Sequence, residues 1–149
     1  SRGYPMKALV PFIIIVLPAV NYAADLPGSE CAAPGHYAES MLQVSVKNDL
    51  GIKLENIQNS KIVTEILSIA PVSDVFARQM AKADSASGKG LSENDYFKIY
   101  HNNHVLNLIV RYTYTNDIGK KDVFISSALM NDEECSVRYN GYMTISRQF

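Results

Sequence analysis

Two cysteines, Cys31 and Cys135, stand near opposite ends of the chain, and whether they bond to each other constrains everything between them. Joined, they close a loop of roughly 100 residues, worth up to ~4–5 kcal/mol in the chain-entropy treatment. That is comparable to the whole net stability of a small domain. The bond needs an oxidising compartment, so the question passes to the residues in front of Cys31.

Those residues read as an export signal. Met6-Lys7 is followed by Ala8 to Val20, a run without charge that contains Ile13-Ile14-Ile15-Val16-Leu17. As a helix this run measures roughly 20 Å, short of the ~30 Å hydrocarbon core of a bilayer. Pro11 and Pro18 weaken it further as a span, and Ala23-Ala24 offers the small residues of a cleavage site. Cutting after Ala24 places Tyr22 where a small side chain is preferred; cutting after Ala23 places Asn21 there. The alternative is an uncleaved membrane anchor. No Cys lies at the junction, which argues against a lipoprotein. The expectation is a signal peptide over residues 1–24, with Ser1 to Pro5 as an upstream extension, and one exported domain over 25–149. That domain would be periplasmic or secreted from a bacterium, free of the membrane after cleavage, and closed by a Cys31–Cys135 disulfide. Neither Cys has a CxxC partner or a nearby His, so a reactive or metal-binding thiol is the weaker reading.

Without the leader, 12 Lys and Arg remain against 15 Asp and Glu, a net charge of −3. Nucleic-acid binding needs concentrated positive charge, so that class is set aside. Lys120-Lys121 is the only basic doublet, and a hairpin turn explains it.

Hydropathy patterning then divides the chain. Asp25 to Gly35 is a Pro- and Gly-rich lead-in. His36 to Leu50 reads as a first helix, with Tyr37, Met41 and Val44 at helical spacing and Ala38, Leu42 and Val46 widening the stripe. Gly51 ends it. Lys61 to Ala70 is apolar and could be strand or helix; its β-branched residues tilt it toward strand. Ser73 is a candidate N-cap for a short helix over Asp74 to Ala83. Asp84 to Asn94, rich in Ser and Gly, reads as a flexible surface loop. Val105 to Thr115 alternates, with Leu106, Leu108, Val110, Tyr112 and Tyr114 on one face. Asp122 to Met130 is the next strand. Ser136 to Tyr139 and Tyr142 to Ser146 flank Asn140-Gly141, a strong two-residue hairpin sequence. The predicted fold class is α+β: an N-terminal helix packed on a C-terminal antiparallel β-meander, cystatin-like or NTF2-like, with a helical insertion.

Chemistry-bearing motifs are sparse. In His101-Asn102-Asn103-His104 the histidines are spaced i, i+3 with no intervening Glu, unlike the i, i+4 pair of a helical zinc site. No Gly-x-Ser-x-Gly elbow is present, and disulfide formation would remove the thiol a Cys–His pair requires. Asp132-Glu133-Glu134 reads as a solvated turn, and Asp117 and Asp122 do not follow a calcium-loop pattern. No catalytic residue, metal ligand or cofactor is therefore expected. The tyrosines carry the strongest functional suggestion. Tyr112, Tyr114, Tyr139 and Tyr142 lie on neighbouring strands, and Tyr is enriched where proteins bind proteins because it buries area yet keeps a polar tip.

The order of features from Cys31 onward resembles a family of small exported bacterial proteins that includes YebF and the colicin M immunity protein. The shared points are a signal or anchor segment, a Cys just before the first helix, the helix segment Val44-Ser45-Val46-Lys47-Asn48-Asp49, and a late Cys in Glu134-Cys135-Ser136-Val137. The longer segment Ile57 to Asp95 departs from the family's shorter linker. The resemblance implies a cystatin-like fold with one disulfide and a non-enzymatic role, such as neutralising a toxin. The expected partner is thus another protein: a toxin, an enzyme or an envelope component. The competing expectation is a small-ligand carrier or enzyme using a cavity between helix and sheet.

Overall fold

The computed structural model describes residues 26–102 and 104–149, so the leader lies outside the described residues. A short 3-10 turn, Ser29–Ala32, carries Cys31 and leads into α1, Tyr37–Leu50. After two further 3-10 turns come β1 (Val63–Pro71), α2 (Asp74–Ala86), α3 (Glu93–Tyr100), β2 (Leu106–Thr115), β3 (Lys121–Met130) and β4 (Arg138–Ser146). The four strands form one antiparallel sheet in the order β1-β2-β3-β4. The class is α+β, helix on antiparallel meander, as the patterning indicates.

The inner face of the sheet meets α1. The alternation in β2 is borne out: Leu108, Val110, Tyr112 and Tyr114 are buried, while the residues between them are half-buried. From β3, Phe124, Ser126 and Ala128 point the same way. From α1 come Ala38, Leu42 and Val46. The helix ends where Gly51 takes a left-handed φ of 69° and its N–H caps the last turn. One feature of α1 differs from expectation. The stripe turned into the core is Ala38–Leu42–Val46, joined by Glu39, whereas Val44 is left exposed and Tyr37 and Met41 are only half-buried. Small Ala38 lets the helix approach the sheet closely, and its carbonyl accepts from Ser126 Oγ at 3.1 Å.

The disulfide joins Cys31 to Cys135. It ties the turn before α1 to the β3–β4 connection, so the two ends of the domain are held together.

Lys61 to Ala70, tilted toward strand by its β-branched residues, supplies strand β1 (Val63–Pro71), which pairs with β2 across the helical insertion. The sheet therefore takes its fourth strand from the N-terminal half. Two sequence expectations need correction. Asp84 to Asn94 is not one loop: α2 runs on to Ala86, and α3 begins at Glu93. Asp84 stays helical because its side chain is buried in an ion pair rather than solvated. Ser92 caps α3, accepting from the Asp95 N–H at 3.1 Å and donating to the Asp95 carboxylate at 2.7 Å. Finally, Asn140-Gly141 is no hairpin. Both residues lie inside β4, at a bulge where the register with β3 shifts between Ser127 and Ala128. The positive φ of Gly141, 107°, serves the bulge instead of a turn. Asn140 uses its amide to donate to Ser127 Oγ and Asn107 Oδ1.

Helices α2 and α3 pack on each other and on one end of the sheet's outer face. Ala77, Met80, Ala81, Tyr96 and Tyr100 close over Leu129 and Val105. Among the described residues, no helix covers the remainder of the outer face.

Candidate functional site

The four tyrosines singled out from the sequence do not share one environment. Tyr112 and Tyr114 are fully buried on the inner face. The Tyr112 hydroxyl donates to the Ala32 carbonyl at 2.7 Å, and the Tyr114 hydroxyl donates to Glu39 Oε1 at 2.7 Å. Burial first, then the neighbouring Glu39 carboxylate, pushes both hydroxyls above the ordinary phenol range. Their polar tips are consumed inside the molecule, and neither is offered to a partner in this fold. Tyr139 is half-buried and meets Tyr37 edge-on, with ring centroids 6.4 Å apart. Tyr142 is half-buried and bonds Asp49 of α1 at 3.0 Å. Those two lie on the edge strand, where a partner could reach them.

Glu39 is the buried acid that sequence reading missed. Its carboxylate accepts from Tyr114, from Gln43 Nε2 at 2.6 Å and from the Gly35 N–H at 2.9 Å. Each bond compensates part of its desolvation, so the group fits as architecture. Its position in the first turn of α1 is the available sequence clue.

A second buried acid locks the helical insertion to the sheet. Asp84 accepts from Arg138 Nε at 2.7 Å and Nη2 at 3.1 Å, and from the Tyr100 hydroxyl at 2.5 Å. Arg138 also donates to Asn140 Oδ1 at 2.8 Å. The Arg138 hydrogen bond holds the Asp84 carboxyl below its usual range, against the opposing cost of burial. Burial and Asp84 together push the Tyr100 hydroxyl up. Asp84, Arg138 and Tyr100 thus satisfy one another and fasten α2 and α3 to β4. Asp122, fully buried, accepts from the N–H groups of Gln148 and Phe149 at 2.6 and 3.0 Å and thereby fastens the C-terminal tail beneath β3.

His101 and His104 meet different carboxylates. His101 lies 3.8 Å from Asp74, and exposed His104 lies 2.9 Å from exposed Asp132. Among the described residues, no group of three or more His, Cys, Asp or Glu is placed to hold a metal ion. No helix among them is long and apolar enough to cross a membrane. A cleft of about 540 Å³ opens between α3 and the β3–β4 connection, with Ile99, Val105 and Val137 as its apolar floor and His104 and the acids 132–134 on its rim.

Beyond α2 and α3 the outer sheet face carries apolar side chains. Val63 and Met143 are 59% and 62% exposed on the two edge strands. Between them Ile109, Val123 and Ile125 are half-buried. Leu67 is exposed at the β1 bulge, and Ile145 on β4. The exposed Arg111–Glu65 ion pair crosses the middle of this surface, with Thr113 between Val63 and Val123 and Ser68 and Ser127 on either side of Ile109. The sequence held a trace of it: Ile109 breaks the polar alternation of β2, an apolar residue on the side expected to be wet. Comparison with family models, with curated proteins and with solved structures finds no match.

Proposed function

We propose that the chain is an exported, non-enzymatic protein-binding domain, of the immunity, inhibitor or secretion-accessory kind, acting in the periplasm or the medium. One observation carries this reading: among the described residues, the part of the outer sheet face beyond α2 and α3 is uncovered and carries Val63, Ile109, Val123, Ile125 and Met143 around the Arg111–Glu65 pair. A contiguous exposed apolar patch with a polar rim is the usual mark of a docking surface. The inner face supports the same reading from the other side. Among the described residues, Leu42, Val46, Tyr112, Tyr114 and Phe124 pack together between helix and sheet. The disulfide and the leader sequence support export, and the resemblance to the YebF and colicin M immunity family points to recognition of another protein.

The test is capture of partners by the exported protein from envelope and culture-medium fractions, compared with an Ile125→Thr/Met143→Ser variant. The expected result is one saturable protein partner, lost in the variant while the melting temperature holds. Binding that survives the variant unchanged would remove the outer face from the reading. A second reading, a small-ligand carrier, rests on the cleft beside α3. It predicts a thermal shift with small cationic, partly apolar compounds, abolished by Val105→Asp.

A further inference from the structure

The two edges of the sheet are not equivalent. β1 is blunted by a bulge, by Glu65, by Pro71 and by the 3-10 turn Ser29–Ala32 packed beside it. Bulges, charges and Pro are the ordinary protection of an edge. β4 lacks most of that protection. From Tyr139 to Ser146 it carries no charge and no Pro. Among the described residues its backbone bonds only to β3, so the outer row of N–H and C=O groups is unpaired. The C-terminal tail does not cover this edge, because Asp122 draws it under the sheet. The regular stretch Gly141–Thr144 lies between two bulges.

We infer that this edge pairs with the same edge of a second copy of the chain, β4 against β4 in antiparallel, to give a continuous eight-stranded sheet. A two-fold axis through the strand pair makes identical strands antiparallel and keeps both inner faces on one side. Centred on Met143, the register sets Met143 beside its own copy and Tyr142 opposite Thr144, with no like charges meeting.

What selects a second copy over a foreign strand is α1. It packs against β3 and β4 alike, beginning near Tyr139 and ending near Tyr142. With strands about 4.8 Å apart, pairing at β4 brings the two α1 axes to about 10 Å, the ordinary helix-packing distance. The stripe left outside the monomer core, Tyr37–Met41–Val44, occupies one side of α1 by its i, i+4, i+7 spacing. Tyr37 and Met41 stand with Tyr139 and Arg138 around one surface cleft, which Asp84 and Lys89 of the helical insertion close at the Arg138 end of β4; this places that side along β4 and leaves Gly141–Thr144 as the open stretch. Dimerisation thus covers an exposed helix stripe and an open strand edge in one step, and it stands whatever the outer face binds.

The test is sedimentation equilibrium of the oxidised exported protein over a concentration series, with Thr144→Lys, Val44→Lys and, as control, Ile118→Lys in the β2–β3 turn. All three positions are exposed, and a far-UV circular dichroism spectrum like the parent's confirms that each variant folds. The expected result is a reversible dimer whose dissociation constant rises about tenfold or more in T144K and in V44K, as lysines meet across the axis. I118K should dimerise like the parent. A monomer at every concentration would overturn the inference. So would a dimer that T144K and V44K leave intact, or a monomer whose β4 edge is occupied by a different protein.

Discussion

The two faces of the sheet are built from the same strands and treated oppositely. The inner face is filled with aromatic rings whose hydroxyls are all assigned: Tyr112 to a backbone carbonyl, Tyr114 to Glu39. The outer face is covered at one end by α2 and α3, fastened through Asp84 and Arg138, and among the described residues is otherwise bare. The difference separates two uses of the same residue types. Tyr112 and Tyr114 are structural side chains, while the bare part of the outer face carries aliphatic side chains around the Arg111–Glu65 pair.

The largest effect should come from cutting the tie that closes the inner core. Replacing both Cys31 and Cys135 with Ser is expected to cost up to ~4–5 kcal/mol in urea unfolding. A loss below ~1 kcal/mol would mean that the inner face holds without its covalent closure. Next comes the fastening of the helical insertion. Arg138→Leu strands the Asp84 carboxylate beneath α2 and should cost about 3 kcal/mol.

The same fastening predicts a pH dependence. The folded-state pKa of Asp84 is depressed, so its contribution is present above the ordinary carboxylate value near ~3.9. It is lost as pH falls through the lower folded value. The stability gap between the parent and Asp84→Asn should therefore be constant near neutrality and close in strong acid. A gap that persists below the folded value would show that the ion pair is not its source.

Tyr114→Phe tests the inner face more finely. It removes one donor to buried Glu39 while keeping the ring, and a loss of about 1–2 kcal/mol is expected. Smallest on stability is Ile125→Thr/Met143→Ser on the bare outer face, expected to stay within ~0.5 kcal/mol per site. A large destabilisation there would collapse the contrast, since the outer face would then be core.

Much of the frame was legible in the chain. The period-two pattern of β2, the stop at Gly51 and the N-cap at Ser73 are local signals, and the structure follows them. The disulfide was legible from compartment chemistry rather than from geometry. The failures share a cause. Asn140-Gly141 offers a positive φ that either a turn or a bulge can use, and only the register against Ser127 and Ala128 selects the bulge. Ser- and Gly-rich 84–94 reads as loop because its one structural acid, Asp84, finds its partner 54 residues away at Arg138. The Ser92–Asp95 cap was a readable sign of α3 within that stretch.

The candidate surface was the least legible part. Alternation assigns a residue to one side of a strand, but it does not say what lies on that side. Tyr112 and Tyr114 were correctly grouped on one face, yet whether that face met α1 or a partner depended on where the helix packed. By itself, the sequence determined the element types that local periodicity and capping encode, and the pair of cysteines available to close the domain. Tertiary structure alone decided which apolar face is buried, where two acids lie dry, and which edge stays open. The physical reason is that burial and ion pairing are properties of long-range contacts, and no residue carries its distant neighbours in its own position.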